Sequence, residues 1–240
     1  MNTVVTSTVE NLPSLLIRTS VGKKLLMALT GFISFGYVAG HMLGNLQIFL
    51  GQDRLNAYAE ALHSLGPLLW VIRAFLLVAF GVHIWLGTVL KLENMAARPV
   101  SYAKTNTVQA TLASRTMIIT GLTVLAFFVY HILHFTARVT NPDFAHLSDA
   151  HGRYDVYSMV ILGFRNGYIS AFYLVAVGFL CYHLSHGISS MFQSMGWSGQ
   201  RCERSLKRLG TAVSLIFFIG YASVPTAVLL GLVKLPGEVM

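Results

Sequence analysis

The sequence predicts an all-α integral membrane protein of five transmembrane helices, the first four forming a bundle around an interior site. Three observations lead there. Of the 240 residues 55% are apolar or aromatic, and only 11% are charged, less than half the roughly 25% of an average globular domain. Mean hydropathy is +0.63, and a soluble chain of this length needs more polar surface than this to cover a core. Finally, residues 25–52, 74–90, 116–137, 166–200 and 209–233 contain no Lys, Arg, Asp or Glu, and most of these stretches exceed the roughly 20 residues that span a bilayer.

The elements follow in order. The first helix is read over 25–50, with Gly31, Gly36, Gly40 and Gly44 permitting close packing. The second runs 67–90: its charge-free part is short, but the apolar pattern extends back through Leu68, Leu69 and Trp70 to Pro67, a favourable first-turn residue, and Arg73 can extend to an interface. The third is read over 115–138 and the fourth over 168–193. The fifth, 209–233, contains Pro225, which is expected to kink it, and is assigned to packing at the bundle edge. Trp70, Tyr102, Tyr168 and Trp197 fall near helix ends as an aromatic belt requires, whereas Tyr221 sits deeper.

Orientation follows from Lys and Arg beside the helices. Arg18, Lys23, Lys24, Lys91, Arg98, Lys104, Arg115, Arg201, Arg204, Lys207 and Arg208 fall on one side; Arg54, Arg73, Arg138, Arg153, Arg165 and Lys234 fall on the other, with six of the nine acids. The N-terminus is therefore expected in the cytoplasm and the C-terminus outside. The first 22 residues lack an apolar run ending in a cleavage site, so no removable signal peptide is expected. No 20–50-residue repeat is read and the loops are short, which predicts one membrane domain over 1–240. The net charge of +8 is scattered around apolar stretches, a pattern that suits a lipid surface and not nucleic acid. Cys181 and Cys202 form neither a disulfide framework nor a metal motif.

Histidines carry the chemistry. Six of nine lie within the proposed helices: His41, His83, His131, His134, His183 and His186. Intramembrane ionisable groups are costly and are retained mainly for function. Counted from helix starts near 25, 67, 115 and 168, His41, His83, His131 and His183 each lie about sixteen residues along. Because successive helices alternate in direction, His41 and His131 form one layer near the outside, and His83 and His183 another near the cytoplasm. Each pair joins alternate helices, which face each other in a four-helix bundle. This is the geometry of a haem held between two imidazoles. Gly40 and Gly44 flank His41, Gly81 and Gly87 flank His83, and Gly187 follows His183 by one turn, leaving room for a macrocycle. His134 and His186 lie three residues beyond His131 and His183, and spacing alone does not choose within either doublet. Zinc is disfavoured, and so is a carboxylate proton pump, because no Asp or Glu falls inside the helices as bounded above.

The segments SVGKKLLMALTG (20–31), GHMLGNLQIFLG (40–51), NAYAEALHSLGPLLWVIR (56–73), YHILHF (130–135) and YHLSHGISSMFQSMGW (182–197) resemble the cytochrome b membrane subunit of succinate:quinone oxidoreductases. The likeness is to the di-haem, single-polypeptide anchor of bacterial succinate dehydrogenases and fumarate reductases, and covers about residues 20–197. In that family one histidine on each of the first four helices ligates haem, which implies His41 with His131 for the outer haem and His83 with His183 for the cytoplasm-side haem. The family's fourth-helix ligand precedes a glycine by four positions, as His183 precedes Gly187, which favours it over His186; His134 remains the alternate to His131.

The resemblance further implies two b haems, a quinone such as menaquinone, a flavoprotein partner with FAD and an iron–sulfur partner on the cytoplasmic face of a bacterial membrane. Electrons would pass from cluster to inner haem, outer haem and quinone, or the reverse in a fumarate reductase; this subunit itself would bind no dicarboxylate. Some family members carry a glutamate two residues before the fourth-helix ligand, where this chain has Cys181. Glu60, His63 and Arg73 are candidates for the quinone and its protons, and Ser114 and Arg115 for haem propionates. The di-haem cytochrome b of a hydrogenase or formate dehydrogenase is a second reading, and a haem-free anchor or transporter a third.

Overall fold

The computed structural model describes residues 12–97 and 112–238; Arg98, Tyr102 and Lys104 lie outside them. It is all-α, with five helices long and apolar enough to cross a membrane: Ser20–Leu50, Pro67–Ala96, Met117–Thr136, Gly167–Ser194 and Cys202–Leu229. Among the described residues there is no strand, only an isolated bridge between Ser148 and Tyr154.

Helix α1 (Leu12–Arg18) leads into α2 (Ser20–Leu46), whose first turn is capped by the Thr19 hydroxyl accepting from the Gly22 N–H. A 3-10 turn, Gln47–Leu50, extends α2 to Gly51, whose φ of 94° turns the chain into α3 (Gln52–His63). Gly66 and Pro67 then start α4 (Pro67–Ala96). The short α5 (Leu112–Arg115) precedes α6 (Met117–His131), which ends in a π-helical turn, Ile132–Thr136. Helix α7 (Val156–Phe164) is capped by Asp155, α8 (Gly167–Ser194) by Asn166, and α9 (Gln200–Leu229) completes the fold with Pro225 inside it.

Several bounds differ from those the charges suggested. Helix α4 continues to Ala96 and takes in Glu93, which forms an ion pair with the buried Lys23 of α2. A carboxylate does therefore lie within a membrane-length helix, tolerated because it is paired. Helix α9 begins at Gln200, so Arg204, Lys207 and Arg208 belong to the helix that then crosses the membrane. Residues 52–63, between the first two predicted transmembrane helices, are helical, with Leu55, Tyr58 and Leu62 recurring at helical spacing.

Packing divides the bundle into helix pairs. Helix α4 leans on α2 and barely meets α6, while α8 packs on α6 and, most extensively, on α9. Helix α9 also reaches α2: Met42 sits directly against Gly220, where a Cβ would collide with it, and joins Val177, Cys181 and Phe217 in a core cluster. The fifth helix is thus wedged against α2 and α8. Cys181 is buried in that cluster. The Tyr221 hydroxyl donates to the Val38 carbonyl at 2.6 Å, an interhelical bond that explains its depth, whereas Trp70, Tyr168 and Trp197 are exposed.

At one end, helices α3 and α7 fold over the bundle as a cap, centred on the fully buried Asn56. Its amide donates to Asp149 at 3.1 Å and Asp155 at 3.0 Å, and its carbonyl accepts the Tyr157 N–H at 3.0 Å. Arg153 closes the network on Asp149 and Asp53. Burial pushes the Asp149 and Asp155 carboxyls up, but hydrogen bonds from Arg153, Asn56 and backbone N–H groups at Asp149, and from Ser158, Asn56 and Gln52 at Asp155, outweigh it and leave both below the usual carboxylate range. Carboxylates depressed in the folded state stabilise it above their unfolded pKa of about 4 and lose that contribution as pH falls through the folded values. Protection of the cap amides, the intrinsic exchange rate at each pH divided by the observed one, should therefore be flat above about pH 5 and fall below about pH 4. Asn56→Ala, which leaves buried polar partners unmatched, should cost about 3 kcal/mol in chemical unfolding of the detergent-solubilised chain.

Candidate functional site

Helices α2 and α6 run toward the cap, while α4 and α8 run away from it, so the four histidines fall in two layers. Nearer the cap, His41 of α2 and His131 of α6 face each other with ring centroids 5.7 Å apart and planes at 79°. Tyr37 stacks on His41 at 5.6 Å, and the Asn45 amide lies 3.4 Å from His41 Nε2. Toward the other, basic end, His83 of α4 and His183 of α8 lie within electrostatic reach of each other. Both contact the helix beside them through Nδ1: His83 meets Thr30 Oγ1 at 3.4 Å and the Met27 carbonyl at 3.2 Å, and His183 meets Thr120 Oγ1 at 3.1 Å.

The doublets separate by direction. The π-helical turn after His131 widens the helix and turns His134 away from His41. His134 is fully buried, its Nδ1 2.9 Å from the Tyr173 hydroxyl and its ring 4.0 Å from that of Phe135; its Nε2 has no hydrogen-bond partner among the described residues. Tyr173 also lies 3.4 Å from His131 Nδ1, so one hydroxyl bridges both histidines. His186 is turned toward Ser190, with its Nε2 2.9 Å from that hydroxyl, and toward the charge of Lys207 on α9.

These residues suit a haem on two grounds. A metal–imidazole bond is about 2 Å, so two imidazoles on opposite sides of one iron place ring centroids roughly 6 Å apart; His41 and His131 stand at that separation. The donors are also of the right kind, since both are imidazoles and histidine is a common protein ligand of haem iron. A Cβ built on Gly40, Gly81, Gly87 or Gly187 would meet nothing within 4 Å, whereas one on Gly44 would strike the Tyr58 ring. Gly44 therefore admits α3 and does not make room beside His41.

A second site opens under the cap, a cavity of about 840 Å³ between the α3–α4 turn and the end of the third span, lined by His63, Gly66, Pro67, Leu69, Trp70, Arg73, Thr136, Ala137 and Arg138. It brings His63 and Arg73 together; Glu60, exposed on α3, does not line it. The Arg73 guanidinium lies over the Trp70 ring at 4.9 Å, and Arg138 over Tyr154 at 4.7 Å. Arg138, which the sequence counts only among the outer-side charges, joins this site because the chain turns back there at φ 58°. Ser114 and Arg115 sit exposed at the basic end, on α5. No protein-family model, curated protein or solved structure matches this chain.

Proposed function

We propose that the chain is the membrane-anchoring cytochrome b subunit of a succinate:quinone oxidoreductase, holding two b haems and a quinone site. The observation that carries this reading is the opposed pair His41 and His131 at 5.7 Å, with a second histidine pair one layer away on the remaining two helices. In this reading the basic end faces the cytoplasm of a bacterial cell. Its exposed Lys24, Arg204 and Arg208 suit docking of an iron–sulfur partner that receives electrons from a flavoprotein.

The roles of this chain's residues follow from their places. His83 and His183 hold the haem nearer the partners, and His41 and His131 the haem nearer the cap. Bound haem supplies one-electron carriers in series between a two-electron donor and a two-electron acceptor. Arg73, Arg138 and His63 line a cavity at the cap end, where His41 and His131 also lie; there cations can hydrogen-bond quinone oxygens and a histidine can relay the two protons that reduction to quinol requires. The apolar faces of α4, including Val71, Phe75, Leu77 and Val78, are left to lipid.

The test is haem per polypeptide in the detergent-purified chain, by pyridine haemochrome assay with a reduced-minus-oxidised spectrum. Two b haems with bis-histidine spectra are expected. One haem would break a pair, and none would return the chain to a haem-free anchor or transporter.

A further inference from the structure

The histidines at the basic end are received by a pattern that occurs twice. Helix α2 carries Met27, Thr30, Gly31 and, ten residues after the glycine, His41; α6 carries Met117, Thr120, Gly121 and His131 at the same spacing. From threonine to histidine is eleven residues, about three helical turns, so both residues share one helix face about 16 Å apart.

Each copy takes the histidine of the following transmembrane helix in the same way. The His83 ring lies against Gly31, its Cε1 3.2 Å from where a Cβ would stand, and His183 lies against Gly121 at 3.4 Å. His83 Nδ1 meets both the Thr30 hydroxyl and the Met27 carbonyl; His183 Nδ1 meets the Thr120 hydroxyl, with the Met117 carbonyl within reach of the same ring. A carbonyl only accepts. The threonine hydroxyls also spend their own protons on the helix, Thr30 on Leu26 at 2.9 Å and Thr120 on Met117 at 3.1 Å. Every neighbour of each Nδ1 is thus an acceptor, so Nδ1 carries the proton and Nε2 keeps its lone pair.

We infer that Met-x2-Thr-Gly is a duplicated cradle in which Thr30 and Thr120 act as positioning residues, fixing His83 and His183 as Nδ1–H tautomers with Nε2 ready to bind a metal. The metal is haem iron on the reading proposed above. Helices α2 and α6 then each serve both layers, supplying the ligand of one and orienting the ligand of the other. A hydrogen bond from Nδ1–H strengthens the imidazole as a donor and favours the oxidised iron.

Two measurements on the full chain test this. In haem-loaded protein, redox titration of Thr30→Val and Thr120→Val should each raise the midpoint potential of one haem, the same haem in both, while the other stays at its parental value. Thr30→Ser, which keeps the hydroxyl, should restore the parental potential. Unchanged potentials in both valine variants, or a shift confined to the haem that His41→Ala removes, would overturn the cradle while leaving the di-haem reading standing. In haem-free chain, nitrogen NMR of isotope-labelled histidine should show His83 and His183 protonated at Nδ1; protonation at Nε2 overturns the inference without reference to haem. A chain that binds no haem yet shows the Nδ1–H form would refute the proposed function alone.

Discussion

His131→Ala leaves one haem per polypeptide where the parent holds two, and His134→Ala leaves both. Only His131 faces His41 at a separation suited to a shared iron. His134, three residues on, is carried by the π-helical turn into an aromatic pocket of Phe135, Phe144 and Tyr173. Removing His131 takes away one of two axial donors, and no other imidazole stands in its place. Removing His134 takes away a partner of the Tyr173 hydroxyl in the interior, a stability loss of about 1–3 kcal/mol without loss of haem. At the basic end His183→Ala should likewise lose a haem and His186→Ala keep it, because His186 is turned toward Ser190. Haemochrome assays of the four variants check this, and the reverse order within either doublet would move the ligand to the other member.

The membrane helices were legible because lipid imposes a single rule on composition and length. Their ends were not, because charges near an interface are tolerated when paired. Lys23 and Glu93, 70 residues apart, meet only after folding, and so the reach of α4 to Ala96 was hidden. The layering of His41, His83, His131 and His183 was readable from helix rise alone, since depth along a helix is one-dimensional. Facing direction was not, and a single π-helical turn decides how His131 and His134 diverge. The recurrence of Met-x2-Thr-Gly with a histidine ten residues later was present in the sequence throughout. Its repeat, 90 residues from Thr30 to Thr120, is longer than the periods that betray solenoids, and its meaning depends on which side chain docks there from the next helix. The cap was the least legible part, because Asn56, Asp149 and Asp155 are ordinary loop-type residues until α3 and α7 bring them together.

Arg73→Ala and His63→Ala each lower kcat/KM for quinone reduction by about 100-fold while leaving haem content and chemical reduction of the haems unchanged. The cavity under the cap opens at the end of the bundle where His41 and His131 lie, so its occupant would stand on the side of that pair and not of His83 and His183. Quinone oxygens gain negative charge as electrons arrive, and Arg73 and Arg138 supply fixed positive charge where that charge develops. Each guanidinium is held over an aromatic ring, Trp70 or Tyr154, which positions it before the substrate enters. His63 Nδ1 is 2.8 Å from the Ala59 carbonyl, so that nitrogen donates and Nε2 is the atom left to exchange a proton. Glu60→Gln is the control, since Glu60 lies one turn away from His63 on α3 and outside the cavity wall; its turnover should stay within about threefold of the parent, a difference of less than about 1 kcal/mol. Should Glu60→Gln abolish turnover and Arg73→Ala retain it, the quinone would have to be placed on the exposed face of α3 and not in the cavity, and the proton path would begin at the carboxylate.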